Sequence, residues 1–273
     1  MSNMIDFYRS VTVFDTETTN LYADQSEIVE LATAKWSDEP GGWAISDRLF
    51  DARNGIPPAA SAKNNIGPRL IRGKPFFDQS TRDVKEMMSW DTARWFVAHN
   101  VGYDREVLEH AWKRNECTAE ARVCRDQSRW ICTWRLSRQI LSHDFNDIEY
   151  GLNYLRYLLD LDLPDDHAVH RAGADTLSCA LLLEDLVKRG ISSGLLVDSR
   201  DIGEQVHGLC WSHITIRSWP FGKHRGAQLE DIPDDYYAWA LKNIPALDES
   251  NPAHDRDLSE SVRAILEKRL MDA

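Results

Sequence analysis

The spacing of hydrophobic residues changes several times along the chain, and each change marks a structural element. VTVFDT (11–16) is a β-branched, apolar run that reads as a buried strand. EIVELATAKW (27–36) and WAISDRLFD (43–51) read as two more strands with a turn at Asp38-Glu39-Pro40-Gly41-Gly42, making a three-strand meander. Residues 52–78 hold most of the early prolines and glycines and read as a long loop with one short helix. STRDVKEMMSW (80–90) opens on a Ser/Thr cap signal and reads as a helix. ARWFVAHN (93–100) is a fourth strand. It runs into GYDREVLEHAWKR, where Val107, Leu108, Ala111 and Trp112 recur at helical spacing. RWICTW (129–134) is a short fifth strand, and helical patterns occupy roughly 135–141, 148–159 and 172–188.

Strands followed by alternating strands and helices predict an α/β domain over 1–190. Residues 191–210 read as a linker and 211–273 as a small C-terminal α+β unit. In that unit HITIRSWPFGKHRG (213–226) reads as a strand and a Gly-bounded turn, and DDYYAWALKN (234–243) and RDLSESVRAILEKRL (256–270) as helices. A chain of 273 residues that is 42% hydrophobic and 28% charged can bury a large core without disulfides. Its five cysteines are odd in number and form no CxxC pair, so free thiols are expected. The N-terminus has no apolar signal core, and no stretch approaches the ~18 apolar residues of a membrane span. These features predict a soluble, cytoplasmic protein with no membrane association.

The candidate chemistry is carboxylate chemistry. Asp15 and Glu17 in FDTETT are two apart on a strand, so both face one side, where they repel each other unless a cation lies between them. Two solvated acids at a polar turn would look the same. Asp104 falls in the first turn of the helix after the fourth strand, where the helix dipole by itself favours an acid. Asn100 at that junction reads as structural, and His99 as a satisfied junction histidine. His170 and Asp175 in VHRAGADTLSCALLL are five apart, which at ~100° per residue places them on different helix faces. They can meet if Asp175 starts the helix and His170 lies on the loop before it. Singly, each has an ordinary explanation as a polar residue at a strand end or helix start.

The combination is specific. FDTETT, AHNVGYD and HRAGADT, in that order, resemble the three motifs of the DEDDh exonucleases of the ribonuclease H-like fold, over roughly residues 11–188. WICTWRLSR (130–138) and PFGKHRGAQLEDIPDDYYAWAL (220–241) are similar to segments of the exodeoxyribonuclease X subgroup of that family. The resemblance implies a mixed five-stranded sheet flanked by helices and a metal-dependent 3′→5′ exonuclease releasing 5′-mononucleotides. It implies that Asp15, Glu17, Asp104 and Asp175 hold two Mg²⁺ or Mn²⁺ ions, with Asp15 bridging them, and that His170 is the general base. Two departures stand out. Tyr103 precedes Asp104 where the family often has Phe, and Asn64-Asn65-Ile66 stands where it often has a His-x-Ile element.

The same resemblance implies that DNA 3′ ends, single-stranded or duplex, are the substrate, with RNA 3′ ends as the rival. Backbone N–H groups near Glu17 and Thr18 would hold the terminal hydroxyl. Leu21 and Tyr22 are placed either to stack on the last base or to tuck into the core. Arg122, Arg125, Arg129, Arg135 and Arg138 are candidates for tracking phosphates or for an ordinary solvated face. Lys223 and Arg225 in the FGKHRG turn are candidates for meeting duplex or displaced strand. The net charge of −12 argues against a broadly basic binding face, a conflict that cation-holding carboxylates ease. A non-catalytic binding module and a polymerase proofreading subunit are the other readings, and no protein partner is indicated.

Overall fold

The computed structural model describes residues 2–39, 42–142, 145, 148–161, 163, 171–251 and 254–271. The chain forms two compact units, Met1–Trp211 and Ser212–Ala273.

The first unit is built on five strands: β1 (Val11–Thr18), β2 (Ile28–Trp36), β3 (Trp43–Leu49), β4 (Trp95–Ala98) and β5 (Trp130–Cys132). Their order in the sheet is β3-β2-β1-β4-β5. β1 to β3 form the expected antiparallel meander, whereas β4 and β5 run parallel to β1. β1 is the central strand, and Val11, Thr12, Val13 and Phe14 are all buried, which is why it reads as a near-continuous apolar run. Beyond Phe14 the strand leaves the apolar core, and its acids begin there.

Helices surround this sheet. α1 (Ser2–Arg9) comes first, and α2 (Pro58–Asn64), α3 (Pro68–Ile71) and α4 (Thr81–Met87) lie between β3 and β4. α5 (Val101–Arg114), α6 (Thr118–Arg125), α7 (Thr133–Leu141) and α8 (Leu152–Leu158) follow, then the 21-residue α9 (Ala172–Ser192) and α10 (Ile202–Trp211). α9 packs across β1, β2 and β3 and against α7 and α8. Large aromatics fill much of the core. Trp90 stacks on Phe96 with ring centroids 4.9 Å apart, and Phe96 meets Trp130 at 5.1 Å.

Several elements differ from the sequence expectation. α1 was not anticipated; it forms because Phe7 and Tyr8 bury themselves, Tyr8 against Trp36 with ring centroids 5.1 Å apart. Residues 52–78 hold two short helices rather than one, and α6 is additional. The expected linker 191–210 is corrected by the structure: α9 runs to Ser192, and α10 is an integral part of the first unit.

The physical reason is that β5 is an edge strand with unpaired backbone groups. α10 caps them, the Trp211 indole N–H donating to the Trp130 carbonyl at 2.7 Å and the Cys132 N–H to Cys210 Sγ at 3.2 Å. Ile202, Val206 and Cys210 recur every fourth residue and are buried. Gly203 lets α10 come close, since a Cβ there would collide with the Trp95 indole.

The second unit has its own core of Trp219, Leu229, Ile232, Tyr237, Ala240, Leu247, Leu258 and Val262. Its helices α11 (Asp234–Asn243) and α12 (Arg256–Met271) fall where expected. The strand expected within 213–226 is reduced to one isolated antiparallel bridge, Ser218 to Gln228. All five cysteines are free. Among the described residues no helix is long and apolar enough to cross a membrane.

Because α10 is core rather than linker, Val206→Ala is expected to destabilise the protein by roughly 1–3 kcal/mol through the void it leaves. A change in a solvated linker would stay within about 0.5 kcal/mol. Urea unfolding followed by tryptophan fluorescence distinguishes the two.

Candidate active site

β1 carries Asp15 and Glu17 on one face, Asp15 opposite Ala32 and Glu17 opposite Glu30 of β2. α9 brings Asp175 in its first turn. Ligand oxygens of Asp15, Glu17 and Asp175 lie within 4.8 Å of one another. Asp104 enters from the first turn of α5, directly after β4. The sharp strand-to-helix junction is made by Asn100 at φ 61°, a left-handed conformation that Asn tolerates better than most residues. Asp104 is buried, and its carboxylate accepts a hydrogen bond from the Thr16 hydroxyl at 2.5 Å. It lines the same cavity as the other three acids, beside the trio rather than within it. His170 lies outside the described residues.

Gathering acids in a poorly hydrated place makes them hold protons. Burial raises Asp15 well above the carboxylate range, and repulsion from Asp104, Glu17, Asp175 and Glu30 adds to it. Glu17 is pushed up to about 8 by burial, then by Asp175, Glu30 and Asp104, with Lys63 opposing. Burial lifts Asp104 to about 6 against the Thr16 hydrogen bond. An oxygen-only donor set with this much mutual repulsion fits a hard divalent cation, which would let all the acids ionise together.

The surrounding contacts were mostly invisible in sequence. Glu30 is fully buried beside this cluster, and Arg171 neutralises it, with Arg171 Nε 3.0 and 3.1 Å from the two carboxylate oxygens. The Ala172 N–H also donates to Glu30 at 3.0 Å. The start of α9, which carries Asp175, is thereby tied to β2. Tyr103 brings a hydroxyl to the position where the family often has Phe. Its hydroxyl shares a 2.7 Å hydrogen bond with the Thr18 hydroxyl and donates to the Asn20 carbonyl, tying the loop after β1 to α5. Buried Asn64 lines the cavity in the segment where the family often has its histidine, and its carboxamide accepts from the Ile66 N–H at 3.0 Å.

The cavity is about 670 Å³. Thr18 and Leu21 line it, and Leu21 is 74% exposed, so it is not tucked into the core. Tyr22 is also largely exposed but does not line the cavity. His99 is the satisfied junction residue expected: Nε2 donates to the Tyr150 carbonyl at 2.9 Å and Nδ1 accepts from Thr133 at 3.0 Å. Burial lowers its pKa to about 4, so it is neutral.

The arginine series is largely structural. Arg129 donates to the Trp90 carbonyl at 3.1 Å, Arg135 to the Cys210 carbonyl at 2.9 Å, and Arg125 to Glu109 at 2.6 Å. Lys223 and Arg225 belong to the second unit.

A strand end and two helix starts bring four acids to one open cavity. Residues 12–183 match the exonuclease family RNase_T, and the chain belongs to that family. Exodeoxyribonuclease 10 of Escherichia coli (strain K12) is 27% identical over 242 residues, 86% of this chain and 92% of that protein. That coverage exceeds the first unit's share of the chain, so the alignment reaches into the second unit. The DNA polymerase III subunit epsilon of Treponema pallidum (strain Nichols) is 27% identical over 179 residues, 64% of this chain and 75% of that protein. Among solved structures, exonuclease X in complex with 5′-overhanging duplex DNA matches with a TM-score of 0.51 at 26% identity, covering 73% of this chain and 99% of that one. E. coli exonuclease I in complex with a dT13 oligonucleotide matches with a TM-score of 0.53 at 15% identity, over 67% of this chain and 42% of that one, which shows a shared fold.

Arg171→Ala would leave Glu30 without its guanidinium partner beside the acidic cluster, and is expected to destabilise the protein by about 3 kcal/mol. Adding Glu30→Gln should recover most of that loss in denaturant unfolding. In the metal-free protein, folded Glu17 holds a proton that the unfolded chain releases near its ordinary value of 4.5. Stability should therefore fall as pH rises from about 4.5 toward 8. Added Mg²⁺ should raise the melting temperature more at pH 8 than at pH 5, because at low pH it must displace protons. Calorimetry in EDTA and in Mg²⁺ at both pH values checks this.

Proposed function

We propose that the protein is a metal-dependent 3′→5′ exodeoxyribonuclease that releases 5′-mononucleotides from DNA ends. The observation that carries this reading is the meeting of Asp15, Glu17 and Asp175, from opposite ends of the first unit, with oxygens inside 4.8 Å. Family membership supports exonuclease chemistry. The similarity to exodeoxyribonuclease 10 over most of the chain supports DNA.

Asp15, Glu17 and Asp175 would hold a pair of Mg²⁺ or Mn²⁺ ions together with Asp104, which the Thr16 hydroxyl keeps oriented. When bound, the ions supply positive charge against the phosphate oxygens and make the attacking water more acidic. His170, on the segment leading into α9, takes a proton from that water as it attacks the terminal phosphodiester. Thr18 faces the same cavity, where backbone N–H groups near it and Glu17 are candidates to hold the 3′ hydroxyl. Leu21 at the cavity wall offers an apolar surface to the last base.

The deciding assay follows mononucleotide release from 3′-labelled and 5′-labelled DNA, and from RNA of the same sequence, in Mg²⁺, Mn²⁺ and EDTA. The expected result is early release of label from the 3′ end of DNA and none in EDTA. Faster release from RNA would make the enzyme an exoribonuclease instead. His170→Ala should lower turnover at least ~10²-fold with DNA binding nearly intact. Asp15→Asn should abolish cleavage and weaken calorimetric metal binding. Undiminished metal binding in that variant would remove Asp15 as a ligand.

A further inference from the structure

We propose that the second unit carries its own binding site for single-stranded DNA, formed by one face of α11 and the basic turn at 222–226. The choice of DNA rests on the exodeoxyribonuclease reading; the site itself rests on separate observations.

Tyr236 and Trp239 are three residues apart on α11 and therefore neighbours on one face. Their ring centroids are 5.4 Å apart with planes 37° from parallel. Trp239 is 50% exposed, unlike the buried tryptophans of the cores. His224 meets Tyr236 edge-on at 4.3 Å. Behind this shelf the buried Trp219 contacts Tyr236 at 5.4 Å, anchoring it to the core of the unit. The result is an aromatic surface on a firm support, open to solvent.

Cations rim the shelf. The Lys223 ammonium stands 5.0 Å from the Tyr236 ring centroid. Arg225 and Lys242 are exposed. Gly222 at φ 65° and Gly226 at φ 83° bend the chain so that Lys223, His224 and Arg225 form the turn between them. Backbone hydrogen bonds close its base, Trp219 N–H to Ala227 at 2.8 Å and Gly226 N–H to Trp219 at 2.8 Å.

Arg256, Arg263 and Arg269 of the same unit are paired with Glu260, Glu249 and Asp234. Among the described residues no acid lies within ion-pair distance of Lys223, Arg225 or Lys242. At the start of α11, Asp234 is held by Arg269, and Asp235 accepts from the Tyr236 N–H at 2.8 Å.

An exposed Trp239 beside a half-buried Tyr236, flanked by unpaired cations, is the chemistry that binds unstacked bases and their phosphates without regard to sequence. Duplex bases are already stacked and cannot use the rings, so the strand must be single. Leu241, exposed two residues from Trp239, faces away from the stripe and does not extend it into an apolar protein-docking surface.

The test uses the full chain carrying Asp15→Asn, in EDTA so that nothing is cleaved. Fluorescence anisotropy follows binding of a labelled single-stranded DNA of about 20 nucleotides over a range of salt concentrations. Trp239→Ala should weaken binding about tenfold, and Trp239→Phe should restore most of it. Lys223→Ala with Arg225→Ala should reduce the salt-dependence slope by about 1.4, since each lost phosphate contact contributes ~0.7 on a single strand. Melting temperatures should not move, because all three side chains are exposed. Unchanged affinity in Trp239→Ala with an unchanged slope in the double variant would overturn the site. Tighter, Trp239-dependent binding of RNA of the same sequence would overturn its assignment to DNA. Failure of the exonuclease reading appears instead in the cleavage assay, so the two outcomes are separable.

Discussion

Four carboxylates meet at one cavity, where burial and the charges of Asp104 and Asp175 make Asp15 and Glu17 harder to ionise. The repulsion follows from geometry. Asp15 and Glu17 are two apart on a pleated strand and share a face, so neither can turn away without breaking the strand. That strand is the central one of the sheet and is anchored by Val13 and Phe14, which are fully buried. Asp175 is fixed by a long helix packed across three strands. The core therefore holds together an arrangement that electrostatics would disperse, and protons or a cation must relieve it.

The contacts around the acids make sense as consequences of that constraint. Glu30 would add a further uncompensated charge, and Arg171 cancels it while tying the start of α9 to β2. Thr16 gives Asp104 a fixed donor. The Tyr103 hydroxyl binds the loop after β1 to α5, so the cavity wall is tied to the helix that carries Asp104. None of these residues needs to touch a reacting atom; they keep the repelling groups where the fold has put them. At the far edge of the sheet, α10 satisfies the open backbone of β5 and makes the first unit longer than its pattern of strands and helices suggests.

Much of this was legible in the chain itself. The three motifs appear in order at a strand end and two helix starts, because the hydrophobic pattern reports where strands stop and helices begin. His99 reads as a satisfied residue and forms both its expected hydrogen bonds. What escaped were elements defined by partners far away in sequence. α1 and α10 each bury a few residues against a surface that exists only after folding. Arg129 and Arg135, candidates for tracking phosphates or for a solvated face, donate instead to main-chain carbonyls of distant segments.

Periodicity and motif order by themselves determined the sheet's strands, the meander, several of the helices that flank it, and the acids that could meet. These are properties of neighbouring residues, and a pleat of two or a turn of 3.6 is written locally. Only the tertiary structure decided that Asp15, Glu17 and Asp175 come within reach while Asp104 stands beside them. It also decided that Glu30 lies buried opposite Glu17 with Arg171 on it, and that residues 202–211 close a sheet edge. Such facts depend on distances between segments that are not neighbours in the chain, and no local pattern encodes those distances.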